Sequence, residues 1–575
     1  MAEPACVGSA SEETSGECAT GASTGSRATD LTSLPARAVH EGVLRRQAAR
    51  ESAARTYARA TLPIVPVRAR GMTIEGADGR RYLDCLSGAG ALALGHNHPV
   101  VLEAIRRILD SGAPLHALDL ATPVKDAFIT ELFHTLPPGL ADHARVQFCG
   151  PSETDAVEAA CKLVRTATGR TGILAFTGAH HGTTTEALSA PDASRDSYAA
   201  AVSVTSADPL APIARLPYPQ DYRCPFGVGG RQGAELAARW TESALDDLGP
   251  DVPHPAGLIL EPVQGEGGVL PAPDAWMRRM REITAARSIP LIADEIQTGV
   301  GRTGAFWAVE HSGITPDVMI LSNAIGGSLP LALLIHRDDL DPGQPDAATG
   351  AFRGNQLAMA AGTATLTYVR ENRLADRAAA LGARMLDQLR PLAREFPCVR
   401  DVRGRGLMLG VEFVEADVKV EAQAETEVEA EARARRARGA SRSEVGAPCG
   451  SRWGASRLAA WDGGPDPAAA QTSAGAHAAP PPPAPELAAA VQRECLRRGL
   501  IVELAGPHTS VVRLLPPLTI SDEQAAAVLD RLADAVKAAA RAHAGASRGF
   551  RPPAEADLRR RRQDHRAEKA TLPSG

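Results

Sequence analysis

The sequence predicts an α/β protein, a large and mostly parallel sheet with helices on both faces, followed by a smaller α+β unit. Three observations predict it. Through the middle of the chain, short apolar runs alternate with amphipathic stretches of helical period, the βαβ rhythm of a parallel sheet. The runs GLILEPV, IPLIADEI and VMIL are almost continuously apolar, as strands covered on both faces must be. After about residue 385 the rhythm changes to a helix, then VRDVRGRGLMLGVEFV, RGLIVEL, VVRLLPPLTI and a closing helix.

Taken in order, ARVQFCG reads as a strand and DAVEAACKLVRTAT as the helix after it; GILAF leads into the turn GAHHG. GLILEPV is followed by the helix AWMRRMREITAAR, and IPLIADEI ends in a glycine-rich turn. The run Val318 to Leu321 gives way to Gly326-Gly327 and Pro330, so residue 323 stands where a strand delivers a side chain into a cleft. The closing helix is opened by Ser521 with Gln524 three residues on, a capping-box spacing.

With 575 residues, 44% hydrophobic and 23% charged, the chain buries one large core or two. A net charge of -6 gives no broad basic field, so no nucleic-acid partner is expected and any anionic ligand must be held locally. Nine cysteines without a CxxC pair read as reduced thiols, which fits the cytoplasm. The N-terminus lacks the pattern of a signal peptide, and no apolar run reaches the roughly 18 residues of a membrane span.

Residues 1–40 and 546–575, the latter with Arg559, Arg560, Arg561 and Arg562, are expected to be solvated tails. Residues 415–485 are expected to be a low-complexity surface insertion. The folded remainder divides into 41–95 as the N-terminal part of a small domain, 96–375 as the large domain, and 376–414 with 486–545 as the rest of the small domain.

The candidate site residues fall at ends of core strands, where open α/β sheets bind ligands. In GPSETDAVEAA, Ser152 and Thr154 with free backbone N–H groups offer either a phosphate cradle or an ordinary N-cap. Asp294 follows an apolar strand and asks for a cation, either a protonated ring nitrogen or a structural salt-bridge partner. His180 and His181 could touch a planar ligand or simply be turn residues, and their spacing makes no metal site with His96 and His98.

The stretches GRRYLDCLSGAGALALGHNHP, VQFCGPSETDAVEAACKLVRTATGR, LILEPVQGEGGV, IPLIADEIQTGVGRTGAFW, LSNAIGGSLPLALL, TGAFRGNQLAMAAGTATL and VVRLLPPL occur in that order. Together they resemble the class III, fold type I pyridoxal-phosphate aminotransferases, and among these the diaminobutyrate:2-oxoglutarate group, from about Glu51 to His543 without the insertion. The resemblance implies a homodimer with active sites between subunits, a large cofactor domain, and a small domain from both chain ends. It implies an amino acid and a 2-oxo acid as substrates. By position, Ser152 and Thr154 hold the cofactor phosphate, His180 takes the place of the aromatic residue stacked on the ring, Asp294 pairs with the ring nitrogen, and Gln297 approaches the ring hydroxyl. Arg513 matches the arginine that grips the substrate α-carboxylate, and Glu261 a residue that pairs with it when no carboxylate is present.

Position 323 is where the resemblance places the lysine that binds the cofactor as a Schiff base and then moves a proton; the family reads LSKAIGG and this chain LSNAIGG. An amide is neither nucleophilic nor basic near neutral pH. The five lysines, Lys125, Lys162, Lys419, Lys537 and Lys569, stand outside any matching stretch. Where relatives usually read GPSGTDAVE this chain has Glu153, a carboxylate beside a phosphate; at ~4 Å such charges repel by ~4 kcal/mol at an effective dielectric of 20. Where relatives usually read GTFRGN it has Ala351, without the hydroxyl that the neighbouring subunit sends to the phosphate, a bond worth about 1.5–3 kcal/mol. Any bound cofactor is therefore expected to be non-covalent. Two readings follow: an aminotransferase acting on L-2,4-diaminobutyrate and 2-oxoglutarate, or a non-catalytic homologue serving as a partner or regulatory subunit.

Overall fold

The computed structural model describes residues 36–52, 62–182, 213–248, 253–341, 343, 351–415 and 480–549. Most of the two expected tails, nearly all of the expected insertion, and Lys419 and Lys569 lie outside the described residues. The N-terminal tail is expected to reach residue 40, yet helix α1 (Ala36–Arg50) begins earlier. Its sequence ARAVHEGVLRRQAAR is rich in alanine and arginine, strong helix formers that local composition hides beside a polar tail.

Strands β1 (Pro66–Arg70), β2 (Thr73–Gly76) and β3 (Arg81–Asp84) form an antiparallel meander. Helices α2 (Pro99–Ser111) and α3 (Pro123–Phe133) follow, each with proline in its first turn, where the missing N–H costs nothing.

The large sheet then begins with β4 (Ala144–Phe148), helix α4 (Glu153–Thr168), β5 (Ile173–Phe176) and β6 (Ile213–Leu216). Helix α5 (Gly230–Asp246) leads to β7 (Gly257–Leu260), and the short hairpin β8 (Val263–Gln264) and β9 (Leu270–Pro271) to helix α6 (Asp274–Ala286). Strands β10 (Leu291–Asp294), β11 (Val318–Leu321) and β12 (Leu333–Arg337) complete it. The order is β4-β12-β11-β10-β7-β5-β6. Only β12 runs against its neighbours, pairing antiparallel with β11 and β4. Every residue of β7, β10 and β11 is buried, the consequence of helices on both faces.

Helices α7 (Gln356–Glu371) and α8 (Leu374–Glu395) lead to an antiparallel sheet containing β13 (Val399–Arg405) and β14 (Met408–Phe413). Beyond it, Val414 bridges Pro483, so the intervening segment leaves and returns at one place. Helix α9 (Pro485–Arg497) and strands β15 (Leu500–Ile501), β16 (Glu503–Ala505) and β17 (Val511–Leu514) follow. Strand β15 pairs parallel with β3, joining the two ends of the chain in one sheet, while β17 lies between β14 and β16. The last helix, α10 (Asp522–Gly549), carries the expected capping box: Ser521 N–H donates to the Gln524 side chain at 3.0 Å, and Gln524 N–H to the Ser521 hydroxyl at 3.2 Å.

Candidate active site

Strands β4, β5, β7 and β10 of the large sheet lead to residues that line one cleft, and Asn323, after β11, meets it through Glu153. After β4 the chain turns into α4 with Ser152 as N-cap: its hydroxyl accepts the Thr154 N–H at 3.3 Å, and the Asp155 carboxylate accepts the Ser152 N–H at 3.3 Å. Serine and an acid three residues apart satisfy two orphan donors at once. After β5 come His180, His181 and Gly182. A Cβ on Gly182, at φ 105, would meet the Thr154 side chain at 2.9 Å, so glycine lets this turn close on α4. Strand β7 delivers Glu261, β10 delivers Asp294 and then Gln297, and β11 delivers Asn323.

Asp294 is buried, and one oxygen accepts from His181 Nδ1 at 2.7 Å while the other accepts the Ile296 N–H at 3.2 Å. Burial lowers the His181 pKa, but the bond to Asp294 and its charge outweigh that and leave the imidazole above its ordinary range. His181 Nε2 is buried and has no hydrogen-bond partner among the described residues. His180 lines the cleft, and its backbone N–H donates to Glu261 at 2.9 Å. The second Glu261 oxygen accepts the Gly265 N–H at 2.9 Å. Burial, opposed by His181 and raised further by Asp294, lifts the Glu261 carboxyl to about 7.

The Glu153 side chain turns into the cleft. Burial raises its pKa first, then Asp294 and Glu266, while His180 and a hydrogen bond from the Asn323 side chain lower it. Asn323 has φ 56, a left-handed conformation that asparagine adopts more readily than other side chains. The Asn323 side chain is thus bonded to the Glu153 carboxylate.

Arg513, fully buried on β17, is held by three groups. Nη2 donates to Glu266 at 2.6 Å, Nε to Glu503 at 2.9 Å with Nη2 also on Glu503, and Nη1 to the Gln297 oxygen at 3.2 Å. Burial pushes the Glu266 carboxyl up, but Arg513 outweighs it and the group ends below the usual carboxylate range. The expected Arg513 partner, Glu261, is therefore corrected to Glu266 and Glu503: both Glu261 oxygens are engaged by backbone N–H groups instead. Glu266 sits in the β8–β9 turn, and Glu503 lies opposite Arg513 in the β16–β17 register. The signal for Glu266 was the turn sequence QGEGG, which projects its one large side chain.

Ala351 is exposed, and its carbonyl accepts from His116; it is not among the residues lining the cleft. Among the described lysines, Lys125 covers the Phe148 ring at 5.0 Å, Lys162 is exposed on α4, and Lys537 lies on α10. None lines the cleft.

The group that the fold and the sequence motifs imply is pyridoxal phosphate. The N-terminus of α4 beside Ser152 and Thr154 suits a phosphate that replaces the Ser152 cap, and Asp294 with His181 suits a polar ring. Position 323 offers no amine. The cavity between the lining residues is about 30 Å³, far below the roughly 300–1,000 Å³ of ligand sites, so a guest requires side chains such as Glu153 to turn outward. The residues fit the cofactor, and no described lysine lines the cleft.

A family model, aminotransferase class III, matches residues 55–438. A diaminobutyrate--2-oxoglutarate aminotransferase of Rhizobium meliloti (strain 1021) is 46% identical over 517 residues, covering 89% of this chain and 94% of that protein. One of the same name from Haemophilus influenzae is 46% identical over 66% of this chain and 81% of its own length. Among solved structures, an amine transaminase from an uncultivated Pseudomonas species superposes with a TM-score of 0.64 at 26% identity, over 85% of this chain and 98% of that one. The architecture is fold type I of the pyridoxal-phosphate transferases. A match over more than half of the chain, on a fold whose strand ends gather the motif residues, leaves one assignment: the chain belongs to the class III aminotransferases.

Proposed function

We propose that this chain is a diaminobutyrate:2-oxoglutarate aminotransferase homologue that binds pyridoxal phosphate and its amino and oxo acids without carrying the amino transfer itself. The observation behind it is the Asn323 side chain, bonded to Glu153 at the position that needs an amine. The substrate class is supported by the names and 46% identity of the relatives. When bound, pyridoxal phosphate supplies an electron sink for a deprotonated α-carbon and a carrier for the amino group.

The chain's own residues do the following. Ser152, Thr154 and the N-terminus of α4 hold the phosphate. Asp294, oriented by His181, would hold the ring nitrogen, and His180 and Gln297 would hold the rest of the ring. Arg513 takes a substrate carboxylate through its planar fork. Glu266 neutralises Arg513 when no carboxylate is present, and Glu503 keeps the guanidinium in place. Asn323 cannot take a proton from the substrate α-carbon, so the sequence stops at binding and leaves a partner or regulatory role.

A homodimer completes the site in this reading. The exposed Leu115, Leu118, Leu120 and Phe352 support it, an apolar patch beside Ala351. The described cysteines are free thiols, which supports a reducing, cytoplasmic setting, and no helix among the described residues is long and apolar enough to cross a membrane. Titration calorimetry tests the binding half of the proposal. Pyridoxal phosphate should bind saturably and be stripped completely by dialysis, and 2-oxoglutarate should bind the loaded protein. Absence of either binding event overturns the proposal.

A further inference from the structure

A cavity of about 310 Å³ lies behind the β8–β9 hairpin, between the 219–223 loop, α8 and strands β13 and β14. Its size is within the roughly 300–1,000 Å³ of ligand sites, and it is separate from the cleft that holds Asn323. Leu270, Leu386 and Val402 give it an apolar wall.

The polar lining is balanced. Three guanidinium groups, Arg223, Arg390 and Arg403, face three carboxylates, Asp221, Asp401 and Glu412. Glu412, 3% exposed, joins Arg223 to Arg403, and Arg403 Nη1 also bonds Asp401 at 2.6 Å. That network is a rigid frame. Two further groups at the cavity are less committed: among the described residues Arg390 bonds Asp387 on its own helix, at 2.6 Å, and the buried Tyr222 hydroxyl has no hydrogen-bond partner. A buried hydroxyl left without a hydrogen bond is costly unless a ligand or water supplies one.

Cations and carboxylates in equal number around one space suit a ligand that carries both charges, and disfavour a dianion. We propose that this cavity is a second ligand site, for a free α-amino acid: Tyr222, Arg390 and Arg403 receive its carboxylate, and Asp221 and Asp401 its ammonium. The site reaches the cleft through one residue. Arg403 Nε donates to the carbonyls of Gly268 and Val269, at 2.9 and 3.1 Å, and the same turn carries Glu266 to Arg513.

The test uses the full chain and L-glutamate as probe, with 2-oxoglutarate at saturation to occupy Arg513. The keto acid has no ammonium and so competes poorly for the cavity. Calorimetry should then show one equivalent of L-glutamate binding per chain. Tyr222→Phe combined with Arg390→Gln, both gentle to the fold, should weaken it about tenfold or more, the scale of a lost hydrogen bond to a charged group. No L-glutamate binding in the presence of 2-oxoglutarate would overturn the proposal, as would binding that the double variant leaves unchanged. If 2-oxoglutarate itself fails to bind, the cleft reading fails alone, because L-glutamate binding sensitive to Tyr222 and Arg390 would remain.

Discussion

Replacing Asn323 by lysine is expected to create a borohydride-fixable bond between residue 323 and pyridoxal phosphate, and measurable transamination of L-2,4-diaminobutyrate with 2-oxoglutarate. The wild-type chain should show neither. An imine needs a primary amine, and general acid-base catalysis by such a group is itself worth ~10²–10⁴-fold. Lysine in the left-handed conformation of position 323 costs about 1–2 kcal/mol relative to a relaxed backbone, small against that gain. The substitution also removes the amide that bonds Glu153 and puts an ammonium in its place, which favours the inward position of lysine. If Asn323→Lys forms the bond without turnover, the phosphate end is at fault, and adding Glu153→Gly and Ala351→Thr should restore it. Mass spectrometry of the reduced protein reads the first outcome, and a glutamate assay the second.

Arg513→Met is expected to lower stability by about 3–5 kcal/mol, the cost of leaving buried charge without its partner. Arg513 is fully buried and holds Glu503, 5% exposed, as well as Glu266. Methionine fills much of the volume but takes the guanidinium away from both carboxylates. Adding Glu503→Gln should recover part of the loss, because the two residues form one unit and their effects are not additive. Denaturant unfolding measures both. A loss below about 0.5 kcal/mol, the level of an ordinary surface change, would show that Arg513 is not the buried hub described above. Binding of 2-oxoglutarate should be lost in the same variant.

Much of this could be read from the sequence because local chemistry decided it. Fully buried parallel strands need unbroken apolar runs, which made β7, β10 and β11 legible. Ser152 and Ser521 announced their helices by side chains that cap the next turn. The partners of Arg513 were not legible. Glu261 and Glu266 lie five residues apart around a hairpin, and only the turn decides which carboxylate meets the arginine. Glu503 meets it through the β16–β17 register, a tertiary fact that no spacing along the chain reveals. His180 and His181 are adjacent, and the backbone after β5 decides which one reaches Asp294. Glu153 could have faced solvent, and its direction became known only with the fold.

In the proposed function, amino transfer stops at residue 323 for want of an amine. The most direct measurement is glutamate formation by the wild-type chain, saturated with pyridoxal phosphate and supplied with L-2,4-diaminobutyrate and 2-oxoglutarate. The account predicts a rate no greater than that of the cofactor without protein. Turnover at about 1 s⁻¹ or faster, the ordinary enzyme range, would contradict it.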